Sequence, residues 1–453
     1  MIERYTNPEM GKLWTDLFKK KCWFKVELAG LWAKEKLGMV PAGTYESARR
    51  KRITEKTLTR ADELEKASDH DLIAFVLAVT EKLTGPAKKH FHAGFTSYDI
   101  EDTALALQLK ESLKLIMAKM LRLRVIIRKR ASEHRYTIEI GRTHNIHAEP
   151  ITFGFKLLGW LDAIERHIRR LSDLQEEISV GKFSGAVGVY VLDPKVEELA
   201  CSFLGLRPAK ISTQILSRDI LVRYTSTLVA IVNSIDRYAT EIRHLAGTDT
   251  GEVAEYKKPG SKGSSAMPGK SRLRNPIKSE NVCGLARVIR GFLIPAFECE
   301  IVWNERSLEN SSAERIYLPD LTILVDFILK RFTQTIDKLE IYPDQMMRNL
   351  WKTGGIVFAQ RILLKLVEKG IARHAAYDLL ESLALSVEPG TFKTKKGETF
   401  MDLVYKDPLI TTILNADELE KCFKPIESLK HVDTIFARFG LKKKNNRSLR
   451  KAG

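Results

Sequence analysis

At 453 residues, with 44% hydrophobic and 29% charged side chains, 27 Gly and 15 Pro, the chain has ordinary globular composition and length for about two to three domains. That excludes a mostly disordered, collagen-like or repeat-array polypeptide. Lys and Arg number 74 against 57 Asp and Glu, a formal charge of +17, so the surface attracts anions and leaves nucleic acid, acidic lipid and small polyanionic metabolites open as partners.

The opening segment MIERYTNPEMGKLW has no apolar leader core, and no apolar run approaches the roughly 18 residues of a membrane span, so a soluble, cytoplasmic protein is expected. Cys22, Cys201, Cys283, Cys299 and Cys422 are scattered and odd in number. Neither a disulfide framework nor a zinc ribbon is supported, and a reducing compartment is the default. Residues 1–98 read as an N-terminal domain of short helices broken at Pro41, Gly43, Gly85 and Pro86.

From Asp102 onward, Leu105, Leu109, Leu113, Ile116, Met120, Leu123 and Ile127 fall on one helical stripe, predicting a helix of about seven turns or more. Leu157, Trp160, Ile164, Ile168, Leu171 and Leu174 form a second stripe. Tyr224, Leu228, Ile231, Ile235, Tyr238, Ile242 and Leu245 form a third. Three such helices predict a long-helix bundle over residues 99–350 whose stripes are shared with other subunits, an intrachain core being the plainer alternative. Helices shorten again over 351–453, a C-terminal domain ending in the basic tail LKKKNNRSLRKAG. Strand signal is sparse, the best being Val187–Leu192, so the fold class is all-α: a long bundle flanked by two smaller helical domains.

Three polar islands interrupt this pattern. Thr96, Ser97 and Asp99 open the first stripe, where their oxygens cap a helix whose free N–H groups suit an anion. Arg142, Thr143, His144 and His147 precede the second. The stretch 247–276, rich in Gly, Pro and Ser, is too long for an ordinary connection and is either disordered or a functional lid. In it Gly263, Ser264 and Ser265 stand near Lys262 and Lys270, a combination suited to a carboxylate or phosphate. His134, His167, His244, His374 and His431 read as structural, while His92, His144 and His147 sit in Gly/Thr/Ser-rich junctions. His144 and His147 have no third Cys or His ligand nearby, so no metal is expected.

The strings HAGFTSYDIEDTALALQLK, GRTHNIHAEPITFGFKL, GKFSGAVG, STQILSRD, GSSAMPGK with RNP, and WNERSLENSSAERIYLPD resemble, in this order, the adenylosuccinate lyase branch of the fumarase/aspartase superfamily. The resemblance spans about residues 1–350. It implies the all-α bundle of that superfamily, a homotetramer with shared active sites, purine nucleotide substrates, no cofactor, no metal, no membrane and no specific nucleic acid. It also implies anti β-elimination of fumarate from adenylosuccinate and from the succinyl-carboxamide ribotide of purine synthesis. In these roles Ser264 is the base, His144 the acid with Glu280 as its carboxylate partner, and His70 a second active-site histidine. Lys270 and Asn275 hold the substrate carboxylate. Arg4, Tyr5, His92, Thr96, Ser97, Asp99, Thr143, Gln214, Arg306, Ser311 and Arg315 fall at substrate-binding positions.

The chain departs from the family pattern at four points: Ser271, Arg272 and Leu273 are inserted after Lys270, Asp69 stands where a cation is usual, Asn145 replaces a Gly and Ser217 a Pro. Argininosuccinate lyases and carboxymuconate cycloisomerases are the nearest alternatives, set apart by HAEP and SSAER. A basic RNA-binding helical protein is the alternative of another class, and the chain lacks the aromatic platform one would use.

Overall fold

The computed structural model describes residues 2–262, 264–270 and 274–441. Gly263, the Ser271 to Leu273 insertion and all but Leu441 of the basic tail lie outside them. The chain divides into two compact units, each assembled from separated segments. The first takes Met1–Arg122, Ile164–Asp236 and Asn281–Arg331; the second takes Leu123–Ala163, Arg237–Glu280 and Phe332–Gly453.

The architecture is predominantly helical, as the stripes require. The first stripe lies on the helix Ser97–Glu133, 37 residues or about ten turns. The second lies on Phe153–Glu177 and the third on Asp219–Leu245. A further long helix, Glu309–Asp337, carries Pro319 in its interior.

The expectation that these stripes are held for other subunits is corrected. Leu109, Leu113, Ile116, Met120, Leu123 and Ile127 are buried by the chain itself, and so is every member of the third stripe. Each buried Leu or Ile contributes about 1.5–3 kcal/mol of hydrophobic stabilisation, which an intrachain core captures without a partner.

In the first unit, Trp23, Phe75, Phe91, Ile100, Leu107 and Phe183 form the core of the N-terminal helices. In the second, Ile140, Leu350, Phe358, Phe400 and Phe423 form that of the C-terminal helices. There too Trp160 stacks on Tyr238, ring centroids 4.6 Å apart.

Strands occur where none was expected. Ile138–Thr143 and Ile146–Thr152 form an antiparallel hairpin, with Thr143 opposite Ile146 and a bulge between Ile140 and Arg142. Val187–Leu192, the expected strand, is instead a turn-rich loop. Gly188 there has φ +86°, and a Cβ on it would lie 2.0 Å from the Ser212 carbonyl oxygen, so only glycine fits.

Candidate active site

In the first unit a cavity of about 600 Å³ is lined by Asp69, His70, Asp71, Ser97, Glu101, Arg306, Ser311 and Arg315, among others. His70 is the N-cap of the helix Asp71–Thr80: its Nδ1 accepts from the Ile73 N–H at 3.4 Å. That bond assigns the proton of the neutral ring to Nε2, which donates to Ser97 Oγ at 3.3 Å. Ser97 opens the first long helix, and Thr96 before it gives its backbone N–H to Asp99 Oδ2 at 2.9 Å. This is half of a capping box.

Asp99 therefore does not face the cavity. It is fully buried, with Oδ1 paired to Lys182 Nζ and accepting from the Gly185 N–H at 3.2 Å. In this structure it supports the start of the helix. His92 is likewise occupied, its Nδ1 lying 2.6 Å from Glu27 Oε1. Burial opposes its ionisation, but the Glu27 carboxylate outweighs burial and holds the imidazole above its ordinary value.

Polar links, buried to partly exposed, run in and beside the cavity. Arg218 donates to Asp102 at 2.8 Å and to Glu314 at 2.9 Å, tying three separate segments together. Ser184 and Ser212 hydroxyls lie 2.6 Å apart. Arg306 Nη1 donates to Gln214 Oε1 at 2.8 Å. Arg315 donates to Asp71 Oδ2 at 2.8 Å and stands 3.6 Å from Glu101. Burial, then the charge of Asp71, pushes Glu101 up to about 7. Glu101 was missed in the sequence although it follows Ser97 by one helical turn and so shares its face. Arg4 and Tyr5 occupy a separate turn, Glu3–Tyr5, with Tyr5 packed edge-on against Phe327.

The second unit carries the other candidates. His144 and Asn145 are the two-residue loop of the hairpin, with φ of 53° and 64°. Both central residues are left-handed, as in a type I′ turn, which suits an Asn at position 145 and presents His144 and Thr143 to solvent. The hairpin is clamped by Arg142, whose guanidinium donates to both oxygens of Glu252 at 3.0 and 2.6 Å. Asn349 adds a bond to Glu252 at 2.7 Å. Glu252 sits at the root of the long loop, followed by the short ladder pairing Val253 with Ile341. His147, beside Arg142's strand pair, is held below its ordinary value by burial and then by the Arg142 charge.

Along the loop, Ser264 Oγ accepts from the backbone N–H groups of Ala266, at 3.2 Å, and Met267, at 3.0 Å. Two amide dipoles converging on one hydroxyl oxygen stabilise negative charge there. Lys270, six residues after Ser264, is half-buried, while Asn275 and Glu280 are exposed and Glu280 stands in the first turn of the helix Ile277–Gly291. Glu255 anchors that helix by accepting from the Ser279 N–H at 2.7 Å. The candidates thus form two clusters, a binding cavity in the first unit and a hairpin and loop bearing His144 and Ser264 in the second.

Residues 5–291 match the family described as Lyase, and residues 355–439 match the Adenylosuccinate lyase C-terminus. An adenylosuccinate lyase of Synechocystis sp. is 45% identical over 97% of this chain and 100% of the relative. One of Staphylococcus saprophyticus is 42% identical with the same coverage. Among solved structures, a fumarate lyase from a Mesorhizobium species superposes with TM-score 0.84 at 24% identity, covering 96% of this chain and 99% of its own. A 3-carboxy-cis,cis-muconate lactonizing enzyme from Pseudomonas putida gives 0.83 at 27%, covering 96% of each. The fold agrees with both structures, the near-complete sequence match is to the two lyases, and the chain belongs to the adenylosuccinate lyase family.

Proposed function

We propose that this chain is a carbon–nitrogen lyase that splits adenylosuccinate into AMP and fumarate, and the succinylated carboxamide ribotide into its free carboxamide and fumarate. The observation that carries the reading is the likeness to adenylosuccinate lyases over 97% of the chain. Elimination requires a base that takes the proton from the succinyl carbon next to the one bonded to nitrogen. The released electron pair becomes the C=C bond of fumarate as the C–N bond breaks, and an acid protonates the leaving nitrogen.

Ser264 suits the base because the Ala266 and Met267 amides already point at its oxygen and stabilise the alkoxide it must become. Lys270 and Asn275 hold the carboxylate on which charge builds. His144, presented on its turn, is the acid, with Glu280 as its carboxylate partner, and His70 assists binding. The nucleotide phosphate goes to Arg306 and Arg315, whose guanidinium forks match it. Thr96, Ser97, Gln214 and Ser311 serve the remaining polar edges, with Arg4, Tyr5, His92 and Thr143 at the periphery.

The active sites are shared within a homotetramer. What supports this is charge. The 600 Å³ cavity carries five carboxylates, Glu65, Asp69, Asp71, Glu101 and Glu309, against two arginines, a poor match for a substrate bearing a phosphate and two carboxylates. In a shared site another subunit supplies the further cations. No described helix is long and apolar enough to cross a membrane.

The test is fumarate release from adenylosuccinate, followed by absorbance with no metal added. Ser264→Ala and His144→Gln are each expected to lose about a hundredfold or more in kcat. Mixed under subunit-exchanging conditions, the two inactive proteins should regain part of the activity. A mixture whose exchange is verified by mass but which stays inactive breaks the shared site.

A further inference from the structure

The two arginines of the cavity are held in opposite ways. Arg315 is compensated by Asp71 at 2.8 Å. Arg306, among the described residues, forms no ion pair: its one hydrogen-bond acceptor is the neutral amide oxygen of Gln214. Its guanidinium lies 3.8 Å above the ring centroid of Tyr98. Tyr98 is only 4% exposed, and its hydroxyl is hydrogen-bonded to Ser311 of the same cavity. Residues 301–308 have no regular secondary structure, so no ladder or helix of their own fixes Arg306. Its place depends on Gln214 and the Tyr98 face.

A carboxylate would hold a guanidinium equally well but would cancel its charge. An aromatic ring attracts the cation through its quadrupole and carries no net charge, so the positive field still reaches the cavity. We propose that Tyr98 is a positioning residue, an uncharged aromatic cradle that fixes Arg306 with its charge uncompensated for the phosphate of the nucleotide. The inference rests on the proposed lyase reading for the identity of that phosphate. It deepens that reading by separating the two arginines: Arg306 supplies the free charge, whereas Arg315 must first give up Asp71.

The experiment compares Tyr98→Leu, which keeps an apolar group of similar burial but removes the face, with Tyr98→Phe, which keeps the face. For each full-length protein kcat and KM for adenylosuccinate are measured, together with the Kd of AMP by calorimetry. Tyr98→Leu is expected to raise KM and the AMP Kd about tenfold with kcat within about twofold, and Tyr98→Phe to stay within about threefold in all three. In an Arg306→Met background, Tyr98→Leu should add no further loss. Equal KM in the Phe and Leu proteins, a fall in kcat at unchanged KM, or a full additional loss in the Arg306→Met background overturns the proposal.

Should the Leu protein not fold, phenylalanines of increasing fluorination at position 98 preserve shape while draining the ring face. KM and the AMP Kd should then rise stepwise, and a flat series overturns the cradle. If the wild-type protein releases no fumarate while AMP binding still follows the ring, the lyase reading fails and the cradle stands.

Discussion

The cavity of the first unit and the signature loop of the second are stabilised by different means. Around the cavity, charged groups are joined across long stretches of sequence: Arg218 to Glu314, 96 residues apart, and Lys182 to Asp99, 83 apart, are buried, and Arg315 to Asp71, 244 apart, is partly exposed. Around Ser264 the bonds are local, to amides two and three residues on. Recognition is held by a network that breaks as a whole, and the reactive hydroxyl by a turn that can be altered without touching the core.

The largest effect should come from breaking the network. Arg218→Met leaves Asp102 and Glu314 buried without their cation and is expected to cost about 3–5 kcal/mol of stability in denaturant unfolding. A loss below about 1 kcal/mol would mean that the carboxylates find water or protons, and the contrast would weaken. Ser264→Ala should do the reverse: kcat falls about a hundredfold or more, while the melting temperature stays that of the parent. A large drop in melting temperature would show the loop to be part of the structural network after all.

A pH series sharpens the same contrast. His92 has a folded-state value raised above about 6.5, so the stability it draws from Glu27 is full below about 6.5 and is lost as pH rises through the raised value. His92→Gln should therefore destabilise the protein more at pH 6 than at pH 9, and an equal loss at both would show that the pair is not an ion pair. The smallest effect concerns Asp69, an exposed carboxylate on the cavity wall with φ +50°, at the end of the helix Glu55–Ser68. Its left-handed backbone favours Asp or Asn over Lys, so the clean substitution is Asp69→Asn. Removing an exposed negative charge near a phosphate should lower KM about two- to fivefold at unchanged kcat. A raised KM would make Asp69 a binding group.

The hairpin shows why part of the candidate site was hard to read. Its two strands, of 6 and 7 residues, lie between long helices. GRTHNIHAEP carries histidines suited to chemistry and, between them, an Asn suited to a tight turn. With φ positive at both His144 and Asn145, that turn is what presents the histidine. The helix Glu309–Asp337 runs through Pro319, a local stop signal that surrounding packing overrides.

What the sequence determined by itself were the helical faces and the order of the motifs. A 3.6-residue period and a short polar string are both local, written in consecutive residues. What only the tertiary structure decided was the state of each charge. Asp99 looks like a site residue and is sealed beneath Lys182, and Arg315 is compensated by Asp71. Arg306, a few residues away in sequence, rests uncompensated on Tyr98. Whether a cation is free or neutralised depends on partners brought within about 4 Å by the fold from distant segments, and the Coulomb energy that settles it falls with a distance no linear pattern contains.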